Sequence, residues 1–279
     1  MSLQVIEWPS LLDDSSPAFS SAMTIGVFDG VHLGHQALIE RIVSRGPNPT
    51  VLTFRENPKK VLWQAKGAET TDSYKGDLYS LKQKTEIFDS LGVKFLVLID
   101  FSEEFSKLRG REFLDLLEKK GRMAFLAVGN NFRCGFAQDT DADLARQINE
   151  SKGIPTELVP PVYLQGTALD EPVSSSLIRK AVFAGNLKLA SELLGRNFSL
   201  DLSDLEPEYV ESGFVYDLCS VYRIAPAAGR YSVLMFSDSK ADGIPGWACA
   251  ENGKIFLPIK AESLEFVTDF SPPDFNPPD

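Results

Sequence analysis

Between Ala22 and Gly195 the chain alternates short, unbroken apolar runs with longer segments whose apolar residues recur at helical spacing. The predicted strands are MTIGVF (23–28), TVLTF (50–54), KFLVLIDF (94–101), MAFLAVG (123–129) and the extended TELVPPVYL (156–164). The predicted helices cover 35–46, 78–92, 111–121 and 141–153, with one or two more in 174–195. Strands without polar alternation are buried on both faces, and helical crossovers cover those faces. The pattern therefore predicts an α/β fold with a Rossmann-like, doubly wound parallel sheet.

The pattern changes after Phe198. Short β-like runs (GFVYDLCSVYRI, RYSVLMF, KIFLPI and LEFVTDF) alternate there with turns rich in Gly, Pro, Asp and Asn. Such runs are typical of antiparallel strands in a small barrel or sandwich. We therefore predict two domains, an α/β domain over 1–198 and a small antiparallel β domain over 199–279.

Composition narrows the classes of partner. The net charge is −11, and 14 acidic against 5 basic residues from Leu200 onward account for most of it. This charge argues against nucleic acid and anionic membranes as partners. Three cysteines in no CxxC pair predict neither disulfides nor a zinc site, and no apolar run reaches the roughly 18 residues of a membrane span. We expect a cytoplasmic protein; the sequence does not determine whether it forms a homo-oligomer.

The two histidines of the chain lie three residues apart in GVFDGVHLGHQ (26–36). This glycine-containing turn joins the first predicted strand of the α/β region to its helix, where backbone N–H groups and the helix dipole favour a phosphate. It matches neither GxGxxG nor GxxxxGK[ST]. His32 and His35 would lie on one side of the first helical turn, each with an N–H donor for a phosphoryl group. Coincidence is one alternative; zinc is another, but it requires ligands that the sequence does not supply.

This turn resembles the GxFDGxHxGH signature of the HxGH nucleotidyltransferase superfamily. Its Gly-Val-Phe-Asp-Gly-Val-His form is most similar to the bacterial bifunctional riboflavin kinase/FMN adenylyltransferases, or FAD synthetases. The resemblance implies that His32 and His35 hold the phosphates of ATP. It further implies an ATP-binding loop shaped by Gly26, Phe28 and Gly30, with Asp29 orienting the loop or holding Mg²⁺ through water.

Two further strand ends resemble motifs of the same family. VLTFRENPKKVL (51–62) is similar to the TFxPHP motif, although Glu56 and Asn57 replace its Pro and His. VGNNFRCG (128–135) is similar to VGxDFxFG, with Cys134 in place of an aromatic residue. The resemblance makes Phe54 and Asn131 candidates for flavin or nucleobase contacts, and the three departures leave acceptor specificity open.

The segment VSSSLIRKAVFAGNLKLASELLGRNF (173–198) resembles the family pattern ISSTxIRxxLxxGxxxxAxxLLGRxY throughout. Hydroxyls and backbone N–H groups at a helix start bind phosphate, so the resemblance assigns Ser174, Ser175 and Ser176 to ATP. Arg179, one turn later, would bind phosphoryl oxygens as they gain charge. The alternative is a capped helix with a surface arginine, which explains one serine but not the shared order of motifs.

The kinase half of the family pattern is missing. Family members carry a GxPTxN motif in their C-terminal barrel, and no such motif follows Phe198. Gly153-Ile154-Pro155-Thr156 imitates its start but lies between a predicted helix and strand and lacks the Asn, whereas Gly243-Ile244-Pro245 is followed by Gly246 instead of Thr. We therefore interpret 199–279 as a reduced remnant of a riboflavin kinase barrel without kinase activity.

The sequence thus predicts an FMN adenylyltransferase that converts ATP and FMN into FAD and pyrophosphate, with Mg²⁺ accompanying ATP. Two alternatives stay open at this stage. The chain could transfer a nucleotide to another phosphate-bearing acceptor, or it could be a flavin- or nucleotide-binding protein whose catalysis has decayed.

Overall fold

The computed structural model describes residues 2–13, 20–46, 48–65, 74–165, 170–237 and 240–267. The chain divides into two compact units. Unit 1 consists of Met1–Ser73 and Lys84–Tyr163, and unit 2 of Tyr74–Gln83 and Leu164–Asp279. The boundary predicted between 198 and 199 separates the parallel from the antiparallel large sheet, and as a domain boundary it stays a prediction.

Unit 1 is built on a six-stranded sheet with the order β1-β4-β3-β2-β5-β8, in which every neighbouring pair is parallel. β6 and β7 form a separate antiparallel pair. The strands are β1 (Gln4–Glu7), β2 (Ser21–Ile25), β3 (Pro49–Phe54), β4 (Phe95–Ile99), β5 (Met123–Gly129), β6 (Arg133–Cys134), β7 (Thr140–Asp141) and β8 (Thr156–Val159). The parallel order confirms the predicted α/β class.

Helices connect these strands and cover the sheet. They are α1 (Trp8–Leu12), α2 (Leu33–Arg45), α3 (Pro58–Ala65), α4 (Leu81–Ser90), α5 (Glu103–Lys107), α6 (Gly110–Lys119) and α7 (Ala142–Glu150). Met23 and Ile25 of β2 belong to a core cluster that also contains Leu114 and Leu117 of α6. Burial on both faces explains why the central strands are mostly apolar and show no polar alternation.

The sequence pattern missed β1, α1, α3 and α5. Each of these has only four to eight residues. Too few turns of a helix or pleats of a strand are present to establish a period, so their formation depends on tertiary contacts. The predicted strand 23–28 also ends early, at Ile25, because the backbone turns before Phe28 takes a positive φ of 52°.

Unit 2 contains α8 (Ser175–Phe183) and α9 (Leu187–Leu194), so the segment 174–195 forms two helices. Side-chain caps begin both helices, Ser174 accepting from the backbone N–H of Leu177 and Asn186 from that of Leu189. Gly185, at φ +70°, allows the chain to turn between them.

The sheet of unit 2 has seven antiparallel strands in the order β10-β11-β14-β13-β12-β15-β9. They are β9 (Ser199–Asp201), β10 (Glu208–Val210), β11 (Gly213–Asp217), β12 (Gly229–Ser237), β13 (Lys240–Glu251), β14 (Lys254–Leu257) and β15 (Ser263–Phe266). The sequence did not predict β13, because its Gly and Pro residues are typical of turns. Pro245 nevertheless lies opposite Leu234 within the ladder.

None of the helices in the described ranges has the length and apolar character needed to cross a bilayer.

Candidate active site

The turn between β2 and α2 has an unusual backbone. Phe28, Gly30 and Val31 have φ values of 52°, 81° and 39°. Val31 is β-branched, so a positive φ strains it, and strain of this kind persists only where the surrounding structure enforces it. Phe28 and Val31 are fully buried, and Asp29 is 4% exposed. The turn is therefore a rigid, packed element.

The two histidines meet at the start of α2. His32 is the N-cap residue and His35 lies in the first turn, and their rings stack with centroids 3.6 Å apart and planes 19° apart. The Phe28 ring packs against His35 at 5.0 Å and against Phe88 of α4 at 5.6 Å. His32 is 6% exposed. The predicted pair is thus held in one orientation at a helix N-terminus, the end of the helix that favours anions.

Side chains from three elements hold the carbonyls of this turn. Thr53 of β3 donates to the Val27 carbonyl at 3.0 Å, and Gln36 of α2 donates to the Val31 carbonyl at 2.9 Å. Lys84 of α4 also donates to the Val27 carbonyl, at 3.5 Å. These contacts fix the path of the backbone on both sides of Asp29.

Lys84 is a residue that the sequence analysis missed. Lys84 is buried, with 6% of its surface exposed. Buried ammonium groups are rare unless polar partners compensate for the hydrogen bonds to water that are lost. One sequence signal could have identified it: Lys84 lies four residues before Phe88 in a predicted helix, so the two side chains share a helix face, and Phe88 is buried. Its location beneath the turn adds a positive charge to a site with the chemistry of an anion-binding loop.

The predicted residues Phe54 and Asn131 end the strands on either side of β2. Phe54 is the last residue of β3, and Asn131 follows β5. Since β3, β2 and β5 are parallel neighbours, both residues lie on the carboxyl edge that carries the histidine turn. Chain connections reverse direction between β2 and β5, which is where ligands bind in sheets of this class. Asn131 is exposed, and a Cβ on Gly129 would approach its Oδ1 to 3.1 Å.

Phe54 belongs to an aromatic cluster at that edge. Its ring lies 5.9 Å from both Phe101 and Phe105, and Phe105 contacts Trp8 and Phe113 at 5.7 and 5.8 Å. Phe54 and Phe105 are packed against the core but only partly buried. Partly buried rings in a cluster offer faces and edges to a planar ligand.

The residues that depart from the family motifs have structural roles. The Asn57 side chain accepts from the Lys59 N–H at 3.1 Å and so caps the start of α3, while Glu56 pairs with Lys60 at 2.9 Å. Burial, assisted by Asp139, raises the pKa of the Cys134 thiol to about 12. Cys134 is therefore a neutral packing residue rather than a nucleophile.

Unit 2 contains the remaining predicted residues. Ser174 uses its hydroxyl as the N-cap of α8, Ser175 and Arg179 are half-buried, and Ser176 is exposed. Arg179 Nε donates to the carbonyl of Gly76 at 3.0 Å. One serine therefore caps the helix, the other two begin its first turn, and Arg179 follows one turn later. The assignment of these residues to phosphate stays a prediction.

Within the described ranges no three His, Cys, Asp or Glu residues lie close enough to hold a metal ion. The buried carboxylate of Asp29 is a hard oxygen ligand of the kind that Mg²⁺ prefers, but it is a single ligand. The donor set fits an ion that arrives with phosphate oxygens and water rather than one held by the protein alone.

The chain is similar in sequence to proteins of known family. The family model for FAD synthetase matches residues 15–176. The bifunctional riboflavin kinase/FMN adenylyltransferase of Escherichia coli K12 is 30% identical over 226 residues, which are 78% of this chain and 69% of that protein. The FAD synthetase of Listeria monocytogenes is 27% identical over 212 residues, 76% and 80% of the two chains. The bifunctional enzyme of Buchnera aphidicola from Acyrthosiphon pisum is 29% identical, and the chain spans 56% of its length.

Among solved structures, the Macrolide-efflux Protein from Streptococcus pneumoniae superposes with a TM-score of 0.74 at 21% identity, covering 98% of this chain and 93% of that one. This likeness bears on the fold alone. The family match and the relatives confirm the resemblance read from the motifs and the nucleotidyltransferase class, and they favour neither of the alternatives. The chain belongs to the FAD synthetase family.

Proposed function

We propose that the chain is an FMN adenylyltransferase that transfers AMP from ATP to FMN, giving FAD and pyrophosphate. The observation that carries the proposal is the stacked pair His32 and His35 at the N-terminus of α2, on the carboxyl edge of the parallel sheet. Family membership supports the substrate pair, because the relatives are named for this reaction.

In this reaction an oxygen of the FMN phosphate attacks the α-phosphorus of ATP. The new P–O bond forms as the bond from that phosphorus to the bridging oxygen breaks, and pyrophosphate leaves. No protein nucleophile is required, so catalysis consists of positioning and charge stabilisation. His32 and His35 donate hydrogen bonds from ring N–H groups to the phosphates of ATP. The turn that holds the pair takes its shape from Gly26, Phe28, Asp29 and Gly30.

Lys84 extends this role. Its ammonium lies under the turn carbonyl of Val27, where a fixed positive charge favours the anionic ligand above it. Mg²⁺ bound to the ATP substrate would supply further charge neutralisation on the phosphates. Asp29 is the carboxylate of the turn that would meet its water shell.

The aromatic cluster around Phe54 supports the flavin as acceptor. An isoalloxazine ring is large and planar, and the partly buried rings of Phe54 and Phe105 provide matching apolar surface. Asn131 offers both amide donor and acceptor atoms at the end of β5, suited to a flavin or nucleobase edge.

The α8 start is the second phosphate-handling element. Ser174, Ser175 and Arg179 match the family motif residue by residue, and Ser176 replaces its threonine but keeps the hydroxyl. The family match itself extends through Ser176. We assign Arg179 to the pyrophosphate side, where a guanidinium stabilises developing charge.

We further propose that the chain lacks riboflavin kinase activity. Gly153 ends the turn after α7 and Thr156 begins β8, so the segment that imitates the kinase motif is a connection inside unit 1. Gly243-Ile244-Pro245 lies within the paired strand β13. A cytoplasmic location and small-molecule partners complete the proposal.

The direct test is incubation with MgATP and either FMN or riboflavin, followed by chromatography of the flavins. We expect FAD from FMN and no FMN from riboflavin. FMN from riboflavin would contradict the loss of kinase activity, and product with another phosphorylated acceptor but none with FMN would overturn the proposed substrate.

The first prediction concerns His35. We expect His35→Ala to lower the rate of FAD formation at least about 100-fold, because it removes a donor aimed at developing phosphate charge. Circular dichroism should show an unchanged fold, and Glu40→Ala, at an exposed position of the same helix, serves as the control. Turnover of His35→Ala at the wild-type rate would remove the histidine pair from the mechanism.

A further inference from the structure

A backbone carbonyl in the segment 74–83 orients Arg179. Arg179 Nε donates to the Gly76 oxygen at 3.0 Å. An arginine side chain has several rotatable bonds, but its guanidinium is planar, so an acceptor on Nε fixes both the plane and the direction of its two Nη groups. The location of the Gly76 carbonyl therefore sets where Arg179 presents its charge.

Gly76 is suited to this role by its conformation. Its φ is +86°, a region that side chains disfavour, and a Cβ there would lie 3.0 Å from three backbone atoms, those of Tyr222, Arg223 and Ile224. The neighbouring Asp77 donates its N–H to the Tyr222 carbonyl at 2.8 Å and accepts from the Ile224 N–H at 3.0 Å. The backbone at Gly76 is thus held against the backbone of 222–224, and its positive φ and this close approach both favour glycine.

The rest of the segment is anchored in the same unit. Leu78 is fully buried, Ser80 donates to the Asp201 carboxylate at 2.5 Å, and Gln83 donates to the Ser199 hydroxyl at 3.0 Å. The segment 74–83 is therefore fixed in place, and its Gly76 carbonyl is an acceptor whose location does not adjust to Arg179.

We propose that Gly76 is the positioning residue for Arg179, holding its guanidinium in the orientation that the transferred phosphate requires. The proposal rests on the proposed function, which assigns Arg179 to phosphate. Gly76 lies outside the four family motifs. It would act on the reaction only through its backbone carbonyl, which holds Arg179.

A double-mutant cycle with the full-length protein tests it. We expect Gly76→Ala to lower kcat for FAD formation about tenfold with the KM for FMN unchanged, since the crowded Cβ displaces the carbonyl. In an Arg179→Lys background, which keeps the charge but lacks the Nε–H, Gly76→Ala should change kcat less than twofold. Effects that multiply in the double variant would overturn the proposal.

Gly153→Ala is the matched control. Gly153 also has a positive φ, of +75°, but a Cβ there meets no atom within 4 Å, so it imposes the same backbone strain without crowding. We expect Gly153→Ala to keep kcat. If Gly76→Ala does not fold, as judged by its melting temperature, Tyr74→Phe replaces it in the cycle, because the Tyr74 hydroxyl bonds to the Asp77 carboxylate beside Gly76.

The cycle separates this proposal from the proposed function. Full activity of Arg179→Lys and Arg179→Ala would remove Arg179 from the mechanism altogether. Loss of activity in those variants with multiplicative effects of Gly76→Ala would leave the mechanism intact and exclude only the positioning role.

Discussion

Lys84 shows how a single residue alters the chemistry of the turn. A buried ammonium loses hydration, and the Val27 carbonyl and its other neighbours must offset that loss. Replacing it by a neutral side chain removes both a charge near the phosphate-binding turn and a contact that fixes the turn. We therefore propose that Lys84 combines a structural with an electrostatic role.

We predict that Lys84→Met lowers kcat/KM for ATP about tenfold or more, because hydrogen bonds to charged groups contribute about 1.5–3 kcal/mol. Steady-state kinetics at two salt concentrations measures the effect. Lys82→Met, an exposed lysine on the same helix, is the control and should retain activity. Equal kinetics of Lys84→Met and wild type would exclude an electrostatic role.

At the scale of elements, Asp201 ties the end of β9 to the segment 74–83. Its carboxylate accepts from the hydroxyls of Ser80 and Ser203 at 2.5 and 2.7 Å and from the Ser203 N–H at 3.1 Å. Burial alone would raise the pKa of Asp201, but these hydrogen bonds and Arg223 outweigh it and lower the pKa. The charged form is thus the one that unit 2 stabilises.

The sign of the pH dependence follows. A carboxylate whose pKa is lowered on folding contributes stability above its unfolded pKa of about 3.9, and that contribution is lost as the pH falls through the lower, folded value. We predict that Ser80→Ala reduces the free energy of unfolding by about 1.5 kcal/mol at pH 7 and by less below about pH 4.

Urea denaturation at pH 7 and at acidic pH measures this difference, with the exposed Ser90→Ala as control. A difference between Ser80→Ala and wild type that does not shrink in acid would show that the hydroxyl acts on something other than the Asp201 carboxylate.

At the scale of the whole molecule, the proposed binding of ATP to the folded protein links ligand binding to stability. At an ATP concentration about 100 times its Kd, the native state gains about 2.7 kcal/mol. We predict that MgATP raises the apparent melting temperature of the wild type and of Glu40→Ala, and that the same concentration has a much smaller effect on His35→Ala. Differential scanning fluorimetry measures the shift, and equal shifts in all three proteins would place ATP away from the histidine pair.

The sequence determined the class of fold and the main site motif. Apolar runs buried on both faces and the helical spacing of apolar residues between them carry clear signals, so the parallel sheet was predicted and confirmed. The turn 26–36 was identified because two histidines and its glycines occur in a fixed order. Boundaries were less well predicted: the helix placed at 78–92 covers Leu81–Ser90, and Leu78 and Tyr79 are buried in the non-helical segment before it.

Only the tertiary structure revealed β13, in which Pro245 lies opposite Leu234 of β12 whereas β14 pairs with Cys249–Glu251, so the missing N–H of Pro245 interrupts no pairing with β14. It likewise revealed the burial of Lys84 and the contact of Gly76 with Arg179, 103 residues away in the chain. Local patterns record periodicity and short-range chemistry, but not which distant backbone atom meets which side chain. Packing decides those contacts, and the proposed positioning of the phosphate-binding groups depends on them.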